Sequence, residues 1–78
     1  MNIEVAFGKV IRQMRKEKDI SQEKLAFECG LDRTFISLIE RGKRQPTLRT
    51  IQKISTYFAI KPSVIIEKTE NMIKNETK

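Results

Sequence analysis

An all-α fold of five short helices around one core is what this sequence predicts, and three observations carry it. Apolar residues recur at spacings of three and four in one segment after another. No segment alternates apolar and polar residues as a half-buried strand would. Ser, Asp, Thr, Gly and Pro stand where successive helices would have to start and stop.

The first helix is marked by Phe7, Val10, Ile11 and Met14 on one side and Lys9, Arg12, Gln13 and Lys16 on the other; the pattern runs to about Lys18 before Asp19 breaks it. Ser21 caps the second helix, with Gln22 and Glu23 in its first turn. A full capping box would need Glu or Gln where Lys24 stands, so the cap rests on Ser21 alone. Leu25, Ala26 and Cys29 form its buried stripe. Gly30 follows, where a left-handed backbone is commonly needed; Leu31 then turns back to the core and Asp32 caps a third helix from about Arg33 to Glu40. Ile36 and Ile39 face inward there, Phe35 lies at the flank, and Gly42 ends the helix before the basic loop Lys43-Arg44-Gln45-Pro46.

Thr47 caps the fourth helix, which places Leu48, Ile51, Ile54, Ser55 and Phe58 on one packed face. Ile60-Lys61-Pro62 reads as a connector, because proline disfavours helix for the residue before it and suits the first turn of the helix after it. The fifth helix starts near Pro62 and fades into the polar tail from Asn75 to Lys78.

A chain of 78 residues is one small domain, 1–78, whose function must come from one surface or from pairing two chains. Lysine and arginine number 16 against 10 acids. Six of those bases (Arg33, Arg41, Lys43, Arg44, Arg49, Lys53) lie between positions 33 and 53 with the single acid Glu40, a local charge of +5 that suits a phosphate backbone. Cys29 is the only cysteine and histidine is absent, so no internal disulfide and no familiar zinc site can be built, and neither metal nor cofactor is expected. The chain also has no phosphate-cradling loop and no evident pair of acids in a cleft, which argues against an enzyme. No apolar run exceeds four residues, so neither a membrane span nor an export signal is expected and the cytoplasm is the expected compartment.

Residues 21 to 46 hold two short amphipathic helices hinged at Cys29-Gly30-Leu31, the layout of a helix-turn-helix over about 21–41. The second helix presents Arg33, Thr34 and Ser37 outward, and the start of such a helix enters the major groove, where base edges show distinct donors and acceptors. Arg33 is the strongest candidate reader, since its guanidinium fork can bind the O6 and N7 of guanine together for about 1–3 kcal/mol of discrimination. Thr34 and Ser37 can touch bases or nearby phosphates, and Leu38 can meet a thymine methyl or face solvent. Gln22, at the start of the second helix, is placed to hold a phosphate where free amides already favour an anion. Lys43, Arg44 and Gln45 would clamp the backbone or reach a minor-groove edge, Arg49 would add a phosphate contact, and Phe35 is grouped with these backbone-side residues.

These residues resemble the phage-repressor type of helix-turn-helix domain, the Cro/repressor or XRE family, over about Val10 to Ile66. Arg15, Gln22, Leu25-Ala26, Gly30-Leu31, Ile36-Ser37, Ile39-Glu40, Gly42, Pro46-Thr47-Leu48 and Ile60-Lys61-Pro62 carry the resemblance. It implies a five-helix, lambda-repressor-like domain in which Arg15 and Glu40 form a partly buried structural salt bridge. It also sets Cys29 where the family puts a small buried residue, so the thiol is read as packing. The run from Leu31 to Ser37 with Ile39-Glu40-Arg41-Gly42-Lys43-Arg44 is similar to the controller proteins of bacterial restriction-modification systems, small dimers that regulate their own operon and the nuclease gene. Two departures stand out: Phe35 where the family often has Tyr, which removes a hydroxyl that could donate to DNA, and Leu38 where it often has Gly, which adds an apolar group beside the reading surface.

One such motif makes few base contacts, so selective binding calls for a homodimer on a two-fold operator in double-stranded DNA. The fifth helix, about 62–74, is the expected dimer surface: Ile65 closes the core, whereas Val64, Ile66, Met72 and Ile73 exceed what so small a core needs. The expected function is therefore a sequence-specific, autoregulatory transcriptional regulator of a restriction-modification operon, with RNA polymerase as a further partner open to it. Two other functions use the same fold. An antitoxin would offer the surplus apolar surface to a toxin, and a non-specific nucleic-acid or RNA binder would not distinguish a scrambled duplex.

Overall fold

The computed structural model describes residues 1–76, and these form α1 (Ile3–Glu17), α2 (Gln22–Cys29), α3 (Arg33–Glu40), α4 (Leu48–Tyr57) and α5 (Pro62–Glu76), with no strand among the described residues. The last two residues of the polar tail lie outside the described residues.

The starts of α1 to α4 each carry a side-chain cap. Ser21 Oγ accepts from the Lys24 amide at 3.0 Å, Asp32 Oδ1 from the Thr34 amide at 3.0 Å, and Thr47 Oγ1 from the Thr50 amide at 3.1 Å. The first helix begins at Ile3, four residues before the apolar pattern at Phe7, because Asn2 Oδ1 accepts from the Val5 amide at 2.8 Å. Gly30 closes α2 at φ 66°, and the Leu31 amide donates back to the Ala26 carbonyl at 2.8 Å, which turns the chain sharply into α3.

Phe7, Val10, Ile11, Leu25, Ile36, Ile39, Ile54 and Ile65 meet in one core, with Ile20, Leu31 and Ile60 half-buried against it. Helices α1 and α3 come unusually close at Gly8, where an added Cβ would stand 2.2 Å from the Ile39 carbonyl oxygen. The ends of α1 and α4 are joined by the Lys18 ammonium, 4.4 Å from the Tyr57 ring centroid. Thr69, fully buried, turns its hydroxyl back to the Ile65 carbonyl at 2.9 Å, so it enters the core without an orphaned donor.

Three expectations are corrected. Leu48 does not share the packed face of α4: it is the first helical residue, its turn runs past the edge of the core, and its side chain is 87% exposed. Phe58 is the residue that caps α4 and is half-buried rather than part of the helix. Met72 is half-buried against the monomer's own core, so it is occupied within the chain rather than surplus on α5.

Candidate nucleic-acid interface

The outward strip of α3 rests on a buried inner face. Ile36, Ile39 and Glu40 of α3 are buried, so Arg33 and Thr34 in its first turn, half a helix away, are exposed. Ser37 is half-buried at the margin of that exposed strip. Arg41, Lys43, Arg44 and Arg49 are all exposed, and they continue the basic surface through the turn after α3 and onto the start of α4. Three helix N-termini, those of α2, α3 and α4, contribute amides with a positive dipole end to the same stretch of chain.

Glu40 is the pivot behind this surface. Arg15 Nε donates to its Oε2 at 2.7 Å and Arg15 Nη2 to its Oε1 at 3.0 Å, a two-pronged pair whose carboxylate side chain is only 1% exposed. Gln22 Nε2 donates to the same Oε1 at 3.0 Å, and Arg15 Nη1 donates to the Ile20 carbonyl at 2.8 Å. The bond that Arg15 donates to the Glu40 carboxylate holds the guanidinium pKa above its ordinary value, against the opposing effect of burial. One carboxylate thus ties α1, the start of α2 and the end of α3 together. No buried side-chain nitrogen or oxygen among the described residues lacks a partner.

Several expected contact residues are already engaged. One N–H of the Gln22 amide is given to Glu40, which leaves its second N–H and the backbone amides of Gln22 and Glu23 to donate to a phosphate. Gln45 Nε2 donates to Glu4 Oε2 at 2.8 Å. Phe35 is half-buried against the core, and the Arg44 guanidinium lies 5.8 Å from its ring centroid, so the ring supports a basic side chain from below. Leu38 is half-buried and not the exposed apolar group its place beside the reading surface suggests. Cys29 is buried, and that burial raises its thiol pKa, as suits a packing residue.

Sequence reasoning passed over Gly8, Glu4 and Phe27. The signal for Gly8 was available, since glycine inside a helix weakens it unless backbone approaches closely. Phe27 lies off the buried stripe of α2 and is 79% exposed; its position relative to Leu25, Ala26 and Cys29 already points it outward. Glu4 could not have been found, because its partner lies 41 positions along the chain.

The surface is electrostatic and geometric rather than catalytic: exposed guanidinium and ammonium groups, short hydroxyls and helix ends on a buried frame. Among the described residues no group of three His, Cys, Asp or Glu side chains converges to hold a metal, and no helix is long and apolar enough to cross a membrane.

Comparison with known proteins gives this architecture its family. The helix-turn-helix family model matches residues 11–65. Control protein C.BamHI of Bacillus amyloliquefaciens is 49% identical over 69 residues, covering 87% of this chain and 85% of that protein. Control protein C.MunI of Mycoplasma sp is 41% identical over 70 residues, covering 88% of this chain and 95% of that protein. The solved structure of C.Esp1396I bound to a 25 base pair operator site superposes with a TM-score of 0.81 at 33% identity, over 94% of this chain and 96% of that one. The chain belongs to the Cro/repressor type of helix-turn-helix family, and within it to the restriction-modification controller proteins.

Proposed function

We propose that this protein is a sequence-specific transcriptional regulator that binds an operator in double-stranded DNA upstream of its own gene and controls a restriction-modification operon. The observation that carries this reading is the exposed first turn of α3, Arg33 and Thr34, set on a fully bonded frame and continued by Arg41, Lys43, Arg44 and Arg49. That C.Esp1396I, a relative over nearly the whole chain, has been solved on a 25 base pair operator supports it. Arg33, Thr34 and Ser37 would read bases, Leu38 would reach a base only if its half-buried side chain swings out, and Gln22, Lys43, Arg44, Gln45 and Arg49 would hold the backbone, with Phe35 bracing Arg44. A bacterial cytoplasm is the compartment that offers such DNA, together with the RNA polymerase it would assist or exclude.

We propose further that the unit on DNA is a homodimer, through a surface wider than α5 alone. Ile66 is 37% exposed, Ile3 is 54% exposed beside it, and Leu48 at 87% stands two residues beyond Pro46, which lines one depression with Ile3 and Ile66. Ile73 is half-buried two turns beyond Ile66 on the same side of α5, whereas half-buried Val64 lines a separate depression with Gln52, Thr56 and Ile60. Exposed apolar side chains such as Ile3, Leu48 and Ile66 on so small a chain suit a second copy.

The test is fluorescence anisotropy of the purified protein with DNA from upstream of its gene, against a scrambled duplex of equal length at about 150 mM salt. A preference of about a thousandfold supports specific regulation, and equal binding to both duplexes refutes it. Sedimentation equilibrium at micromolar concentration tests the pairing. A dimer that Leu48→Glu converts to monomer supports it, and a monomeric wild type refutes it.

A further inference from the structure

Three consecutive residues at the start of α1 grip the loop that joins α3 to α4. Val5 lies against Gly42, where an added Cβ would stand 2.7 Å from Val5 Cγ2 and 2.9 Å from Val5 Cα. Glu4 accepts a hydrogen bond from Gln45 at 2.8 Å. Ile3 and Pro46 line one apolar depression with Ile51 and Ile66. Between these anchors lie Lys43 and Arg44, both exposed, the second with its guanidinium 5.8 Å from the centroid of the Phe35 ring.

A carboxylate beside a basic loop opposes phosphate binding on charge alone. The helix dipole explains an acid in the first turn of α1 but not its bond to a residue 41 positions away. The hydrogen bond gives it a different part to play, because a loop ordered before binding does not lose that freedom on the DNA.

We propose that Glu4 is a positioning residue for DNA binding: through Gln45 it holds the backbone-facing loop 43–45 in its binding conformation before DNA arrives. The inference rests on the DNA-regulator reading given above. Glu4 and Gln45 also line the depression shared by Ile3, Pro46 and Ile66. A second copy docked there covers the Glu4–Gln45 hydrogen bond from water, so pairing of two copies and ordering of the loop reinforce each other. The carboxyl of Glu4 is held below its ordinary pKa chiefly by the bond from Gln45, which is consistent with an acceptor in use.

The experiment uses the full chain with Glu4→Ala, Glu4→Gln, Gln45→Ala and the double variant Glu4→Ala/Gln45→Ala. Backbone amide heteronuclear NOEs of residues 43–45 are measured without DNA, and affinities are then measured for upstream and scrambled duplexes. Loss of charge alone makes Glu4→Ala bind DNA more tightly. Positioning makes it bind about three- to tenfold more weakly, the factor for re-ordering one or two side chains, with looser amides at 43–45. Glu4→Gln, whose amide oxygen still accepts from Gln45, keeps wild-type order and binds at least as tightly as wild type. Glu4→Ala/Gln45→Ala is no weaker than the worse single variant, as expected of one shared interaction. Unchanged amide order in Glu4→Ala, or equal or tighter binding, overturns the proposal. If Glu4→Ala fails to fold, loop order in Gln45→Ala, which leaves α1 untouched, decides in its place. Wild-type protein that ignores duplex DNA would refute the regulator reading, while the amide order would still decide whether Glu4 holds the loop.

Discussion

The seam behind α3 and the face in front of it obey opposite rules. At the seam, Gly8 leaves no room for a methyl group before the Ile39 carbonyl, and Glu40 has its carboxylate filled by Arg15 and Gln22. On the outward face, Arg33, Thr34, Lys43 and Arg44 are exposed, and the loop is steadied by contacts at its margins, among them the Phe35 ring and the Glu4–Gln45 bond. The contrast teaches that an exposed binding surface takes its accuracy from what is buried under it. Side chains that must meet DNA cannot be locked by packing, so the helix that carries them is locked instead.

The most damaging way to break this contrast is Glu40→Gln. It strands the Arg15 guanidinium, 11% exposed, beside a neutral amide, and should cost about 3–5 kcal/mol in urea unfolding. A loss under about 1 kcal/mol would mean the seam is no more constrained than an exposed ion pair. Next is Gly8→Ala, which pushes a Cβ into backbone that no side-chain rotation can relieve, for a loss of about 3 kcal/mol by the same measurement. Arg33→Ala should do the reverse of both: an unchanged thermal midpoint, with operator affinity reduced by about 1–3 kcal/mol and little effect on a scrambled duplex. A thermal midpoint several degrees lower would blur the division between frame and face. The smallest effect sharpens the comparison by leaving both regions alone. Ala59, exposed at φ 57° after α4, holds a left-handed backbone that costs a non-glycine residue about 1 kcal/mol. Ala59→Gly should therefore raise stability by about that much without altering DNA affinity.

How much of this was legible in the sequence depends on how local each signal is. Caps at Ser21, Asp32 and Thr47 and the turns at Gly30 and Gly42 act within a few residues, and the structure has them where the sequence places them. The buried faces of α1, α2 and α3 follow from periodicity, because each of those helices has one side against the core. Leu48 and Met72 went astray for a common reason. Periodicity tells which residues share a side of a helix, but not where along its length the core ends. Leu48 lies past the edge of the core, and Met72, two turns beyond Ile65, still packs half-buried against it. Glu4–Gln45 and Gly8–Ile39 join distant parts of the chain: the first leaves no local mark, and the second is marked by Gly8 alone, which does not name its partner.

The split faces of α3 also bear on how such chains diversify. Ile36, Ile39 and Glu40 carry the folding load of that helix, and the outward Arg33 and Thr34 carry almost none of it. Substitutions at the outer pair are therefore nearly neutral for persistence of the fold, and with the proposed base-reading role drift there would explore new DNA words without first needing compensating changes elsewhere. Exchanging the outward residues of this helix between two related chains should transplant a target preference onto a foreign scaffold, and that makes the helix a removable cassette rather than an inseparable part of the domain.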